Sequence, residues 1–245
     1  MEYLLFAFSD IQIPSNLSTI SILLLGFGLG LQHATEADHL AAVSTIVSER
    51  KNLLSASIVG GLWGVGHTIS LFFVGALVIF LKLQISEGVE AKLEASVGIM
   101  LVLLGLNALR KLYLGKEKIH AHTHDHQGNH HVHFHAHEKD KPAEKWHHNL
   151  SPRSVFIGMV HGLAGSAALM LLVVPSIPSP TVALVYILIF GIGSIGGMMA
   201  MSFLIGLPFH FTATNFVGLN KIIRLCAGIF SFCLGLSIIY EKLFA

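Results

Sequence analysis

The chain has 245 residues, 53% of them hydrophobic and only 12% charged, with a mean hydropathy of +0.70. Ordinary soluble domains carry about twice that charged fraction, so the composition excludes a typical water-soluble globule and makes a lipid bilayer the expected surroundings. The formal net charge of +1 supplies no basic surface for nucleic acid, and none is expected as a partner.

The N-terminal stretch MEYLLFAFSDIQ lacks a positive flank and carries Glu2 and Asp10, so no cleaved signal peptide is expected. Its apolar patch, 3–8, is too short to span and is expected to lie at the interface. Six apolar runs follow, at about 17–47, 54–82, 93–114, 153–175, 180–206 and 217–243. Each is long enough to cross roughly 30 Å of hydrocarbon. The expected fold is therefore an all-α membrane protein of six transmembrane helices.

The first run contains LGLQHATEADHLAAV, with His33, Glu36, Asp38 and His39 inside otherwise apolar sequence. A carboxylate at the centre of a span costs roughly 2.5–3.5 kcal/mol on insertion scales, so the groups need a purpose. Three compete: a polar boundary in water, a proton relay, and ligation of a metal cation, which the donor set favours. On a regular helix of 100° per residue, His33, Glu36 and His39 share a face and Asp38 points away. Either Asp38 pairs with a ligand without being one, or the helix is interrupted near the motif, as transporter helices often are at mid-membrane. The run is longer than one span needs, which leaves room for a break.

The second run adds His67, in WGVGHTIS, as a donor from another helix. Imidazole nitrogen with carboxylate oxygen suits Ni²⁺, Co²⁺ or Zn²⁺, whereas Ca²⁺ and Mg²⁺ prefer oxygen alone. The third run carries Gly98 and Gly105.

Between the third and fourth runs lies HAHTHDHQGNHHVHFHAH, holding His120, His122, His124, His126, His130, His131, His133, His135 and His137. With His147 and His148 the loop has eleven of the chain's sixteen histidines. Its polarity predicts a segment that is disordered without metal. The alternation of histidine suits loose, exchanging coordination of transition-metal ions rather than one closed site, as in a buffer, sensor or delivery arm.

The fourth run opens at Ser151-Pro152, a plausible cap and first-turn proline, and contains His161. Met198, Met199 and Met201 in the fifth run are expected to pack. Cys226 and Cys233 in the sixth stand about 10 Å apart along a helix, too far to bridge, and are also expected to pack.

The two halves echo one another. His33 aligns with His161, His67 with Ser194, Gly98 with Gly228 and Gly105 with Gly235, at offsets of 127–130 residues. An odd number of spans per half inverts the second copy, a transporter signature that puts the substrate site near mid-membrane. The expected organisation is a first three-helix repeat over 1–114, a His-rich loop over 115–150 and a second three-helix repeat over 151–245. Ala164 and Ser166 stand where Glu36 and Asp38 do, so the chemistry concentrates in the first half. Gly26/Gly30, Gly60/Gly64, Gly158/Gly162 and Gly193/Gly197 have the spacing of close helix crossings.

With the N-terminus outside, twelve of the fifteen Lys and Arg fall on inner segments and three on outer ones. This bias places both termini outside and the His-rich loop in the cytoplasm of a multi-pass cell-membrane protein.

HATEADH, with His33 and Asp38-His39 in an H-x4-D-H pattern, followed one helix later by Gly66-His67-Thr68, resembles the nickel/cobalt transporter superfamily and in particular its short urease-accessory branch. The resemblance covers the six-span body. It implies a permease for Ni²⁺ or Co²⁺ as cargo, with no prosthetic group, and His33, Asp38, His39 and His67 as metal-recognition residues. Cytoplasmic nickel-handling or urease accessory proteins are implied partners. Glu36 and His161 join the candidate ligands from the residue reading alone. Two other classes stay open: a membrane metal sensor or chaperone without transport, and a membrane metalloenzyme. The enzyme would want a motif such as HExxH, which is absent. The sensor has no need of an inverted repeat.

Overall fold

The computed structural model describes residues 18–48, 50, 52–82, 86–114, 119–126, 129–136, 152–164, 177 and 179–244. The N-terminal patch 3–8, His137, His147, His148, Ser166 and three of the six residues of the 175–180 turn lie outside these residues. Seven helices are described: α1 Thr19–His33, α2 Ala37–Val47, α3 Leu53–Leu81, α4 Glu87–Leu114, α5 Pro152–Ala164, α6 Pro180–Asn215 and α7 Val217–Phe244. Four of them, α3, α4, α6 and α7, are long and apolar enough to cross a membrane.

The first expected span is divided into two shorter helices. Ser18 caps α1, accepting a hydrogen bond from the Ser21 amide. α1 stops at His33, three residues turn, and α2 starts after Glu36, whose backbone is extended. The interruption falls inside the polar motif, where the four groups could not share one straight face. The fifth-run helix extends past 206 to Asn215 and contains Pro208. A proline inside a helix frees a carbonyl, and polar groups gather here. The Thr212 hydroxyl donates to the Pro208 carbonyl at 2.6 Å, and the Asn220 amide of α7 donates to the Phe209 carbonyl at 3.0 Å. α4 starts at Glu87, earlier than 93, because its first turns carry charge. α5 begins at Pro152 as expected and is described as far as Ala164.

The His-rich segment differs from the irregular loop expected of it. Ile119–His126 and Asn129–Ala136 form an antiparallel two-stranded hairpin, β1 and β2. The alternating sequence has the period of a strand, and a histidine at every second position fits a ladder as well as it fits an irregular segment. The register sets His120 opposite His135, His122 opposite His133 and His124 opposite His131.

Close packing places backbone against backbone. A Cβ on Gly30 would collide with the Phe190 carbonyl of α6, and one on Gly158 with the Trp63 carbonyl of α3. Likewise Gly193 abuts the Phe27 carbonyl and Gly66 the Val155 carbonyl. Between α4 and α7, Gly98 faces Gly235 and Gly105 faces Gly228, at 2.8 and 2.7 Å from an added Cβ to the facing carbonyl oxygen. Partners rise in number on one helix as they fall on the other, so α4 and α7 run antiparallel. α3 and α6 do too, with Gly60 against Ser202 and Gly75 against Ile187. Hydroxyls add interhelical bonds that need no water. Ser70 donates to the Met159 carbonyl at 2.8 Å and Ser231 to the Leu101 carbonyl at 2.9 Å.

Apolar side chains meet in two clusters, one around Val47, Trp63, Leu101, Met198 and Phe209, the other around Leu71, Tyr186, Ile187 and Phe190. Met198 packs as expected. Cys226 and Cys233 are free but exposed on α7 rather than packed.

Candidate metal centre

The break between α1 and α2 positions the polar motif. Ending α1 at His33 and restarting at Ala37 turns the next residues through a corner. His33 from α1 and His39 from α2 are thereby brought ring to ring, with centroids 4.3 Å apart. His67 arrives from α3, 5.2 Å from the His33 ring and 5.5 Å from that of His39. His161 arrives from α5, 4.2 Å from His39 and 5.9 Å from His67. All four rings are at most 1% exposed. The helix body thus gathers His33, Glu36, Asp38, His39, His67 and His161 into one place. The loop histidines belong to a separate element.

The carboxylates address the backs of the rings. Glu36 Oε1 is 2.8 Å from His33 Nδ1, and Asp38 Oδ1 is 3.0 Å from His39 Nδ1. Asp38 also receives the His39 backbone amide at 2.9 Å, and its Oδ2 stands 3.1 Å from His161 Nε2. Asp38 therefore joins α2 to α5. A carboxylate on one ring nitrogen fixes the tautomer and aims the other nitrogen's lone pair, as behind metal-bound histidines. The aimed atoms are free. His33 Nε2, His39 Nε2 and both His67 ring nitrogens are buried without a hydrogen-bond partner among the described residues. Such groups are costly to bury unpaired, and a bound cation would supply what they lack. Two overlapping sets of three donors lie within 4.8 Å of one another: His33, His39 and His67; and Asp38, His39 and His161.

Two contacts escaped the sequence reading. The Trp63 ring, 1% exposed, backs His39 at 5.2 Å and His161 at 5.3 Å, and Phe190 backs His33 at 5.5 Å. The available signal was spacing. Trp63 lies one helical turn before His67, and Phe190 one turn before Ser194, the residue aligned with His67.

Glu36 is the most open of these groups, with its side chain 30% exposed, against 18% for Asp38. The site is therefore sealed on the imidazole side and reachable on the Glu36 side.

Comparison with known proteins gives the family. Over 222 residues the chain is 39% identical to the urease accessory protein UreH of Bacillus sp. (strain TB-90), covering 91% of this chain and 92% of that protein. It is 33% identical over 69 residues to the high-affinity nickel transport protein of Cupriavidus necator, covering 28% of this chain and 20% of that one. It is 24% identical over 202 residues to the chloroplast protein FOR GROWTH AND FERTILITY 1 of Arabidopsis thaliana, covering 82% and 53%. No solved structure matches. Residues 19–226, which run from the first turn of α1 into α7 and include every helical ligand candidate, match the NicO family, described as high-affinity nickel-transport protein. The chain belongs to that transporter family, and not to a family of enzymes.

Proposed function

We propose that the protein carries Ni²⁺, Co²⁺ or both across the cell membrane through the buried centre built by His33, Asp38, His39, His67 and His161, with Glu36 at its accessible side. One observation carries this. Four buried imidazoles from four helices converge, and His33, His39 and His67 present ring nitrogens with no hydrogen-bond partner among the described residues, in a chain of a nickel-transporter family. A dication entering a low-dielectric interior must replace its hydration shell. Borderline nitrogen donors do so for Ni²⁺ and Co²⁺ and poorly for Mg²⁺ or Ca²⁺.

The path is a six-span body of two inverted halves. Support comes from contacts that recur in matched pairs. Gly30 against Phe190 matches Gly158 against Trp63, and Phe27 against Gly193 matches Val155 against Gly66. Gly98 to Gly235 matches Gly228 to Gly105. Such reciprocal pairing is what a two-fold relation produces. Antiparallel α3/α6 and α4/α7 pairs put the axis in the membrane plane, the arrangement that alternating access uses.

The His-rich loop is cytoplasmic in this proposal and holds ions loosely at His120, His122, His124, His126, His130, His131, His133, His135 and His137. The hairpin register, with three histidines opposite three, supports it. The urease accessory relative supports delivery onward to cytoplasmic nickel-handling or urease accessory proteins.

The test is flux. Proteoliposomes holding the purified chain are expected to accumulate radiolabelled Ni²⁺, with Co²⁺ competing and Mg²⁺ not. Accumulation no faster than in empty liposomes would sink the proposal. For topology, a cysteine at Gly128, in a chain with Cys226 and Cys233 replaced by serine, is expected to react with an impermeant thiol reagent in inverted vesicles only. Labelling in intact cells would place the loop outside.

A further inference from the structure

We propose that the centre is two ion positions sharing His39, and that the ion passes from one to the other without leaving that residue. This rests on the transport reading above. The first position is His33, His39 and His67; the second is Asp38, His39 and His161. Within each set the donors lie within 4.8 Å of one another, but no described set contains both His67 and His161, whose rings are 5.9 Å apart. The two sets therefore meet only at His39.

His39 can serve both positions through one nitrogen, Nε2, because Asp38 holds the other. Nδ1 is 3.0 Å from Asp38, and Nε2 has no partner among the described residues. Two donors each about 2.1 Å from an ion and at right angles to it stand about 3 Å apart. The 3.1 Å between Asp38 Oδ2 and His161 Nε2 matches that spacing. The positions also differ in kind. The first offers three imidazoles; the second offers a carboxylate and two imidazoles.

The aligned histidines divide between them. His33 serves the first position with Phe190 behind it, and His161 serves the second with Trp63 behind it. In an inverted pair of halves, these places open to opposite sides. Transfer exchanges His33 and His67 for Asp38 and His161 while His39 stays bound. The dication is then never bare in the membrane interior, where an unpaired charge costs most. Because His39 is shared, one ion occupies the centre at a time.

Equilibrium dialysis of the detergent-purified full-length chain against radiolabelled Ni²⁺ tests this, with the loop intact in every variant so that its ions subtract out. His39→Ala is expected to bind one ion fewer than the unaltered chain. His67→Ala and His161→Ala are each expected to bind the same number as the unaltered chain, because each keeps one position. The double variant His67→Ala/His161→Ala is expected to bind one fewer. Flux in proteoliposomes is expected to vanish in both single variants. His→Gln versions replace any alanine variant that is not monodisperse. Loss of one ion in either single variant would make the centre a single shell and overturn the two positions, leaving the transport site standing. Flux retained in either single variant, or two ions lost with His39, would overturn it also. Unchanged binding in His39→Ala would remove the central site itself.

Discussion

Ni²⁺ flux falls by at least about 100-fold when His39 is replaced by alanine, more than the roughly 10–100-fold that loss of a group behind a ligand costs. His39 is wholly buried, touches three other imidazole rings and holds one oxygen of Asp38. Removing it takes a donor from both donor sets at once. It also releases Asp38 Oδ1, leaving a buried carboxylate with fewer partners, which adds to the cost. The initial rate of radiolabelled Ni²⁺ entry into proteoliposomes, at matched protein incorporation, measures the loss. Cys226→Ser, on an exposed α7 face far in sequence from every donor, is expected to keep the unaltered rate. A His39→Ala rate within threefold of the unaltered chain would dismiss the centre as the path.

The second large effect is mechanical. Gly158→Ala is expected to lower the thermal stability of the purified protein by about 3 kcal/mol or more, the upper range of overpacking costs, and to abolish flux. The added methyl meets the Trp63 carbonyl and comes within 2.7 Å of Trp63 Cδ1. A backbone carbonyl cannot rotate away as a side chain can, so α5 must move off α3. His161, three residues on, moves with it and separates from Asp38, and Trp63 loses its place behind His39. Gly28→Ala is the control, because a Cβ there meets nothing within 4 Å. Equal melting temperatures for the two variants would show that α5 is not held by this contact.

The helical body was legible because hydropathy reports burial in lipid directly. The break at 34–36 was legible for a geometric reason. Four polar groups at positions 33, 36, 38 and 39 cannot face one ion from a straight helix, so either Asp38 was a pairing group or the helix was interrupted; the structure shows the corner between α1 and α2 and also pairs Asp38 with His39 and His161. Helix ends in water were less legible. α4 begins at Glu87, six residues before the apolar run, because a helix leaving the membrane needs no hydrophobicity to continue. α6 runs past Pro208, with Thr212 and Asn220 donating to the Pro208 and Phe209 carbonyls, and a partner arriving from another helix leaves no local trace. The hairpin at 119–136 was missed for a different reason. Histidine at every second position has the strand period, but its polarity outweighed that signal. The role of Asp38 as a joint between His39 and His161 was only half legible. The helical wheel set it apart from the ligand face but could not name a partner 123 residues away.

The matched glycine contacts bear on how the molecule tolerates change. Gly30 against Phe190 and Gly158 against Trp63 do the same steric duty in the two halves, yet the donors beside them differ, with Ser194 where the first half has His67. Form and chemistry have therefore separated. The close contacts recur in pairs, and a methyl added at Gly30 or at Gly158 meets a backbone carbonyl in either case. The ligands are written mostly once, so the second copy is free to drift at Ser194 in ways the first is not at His67. In the body of two halves proposed above, the accepted ion can be retuned by editing the donors of one half while the glycine contacts of the other stay in place.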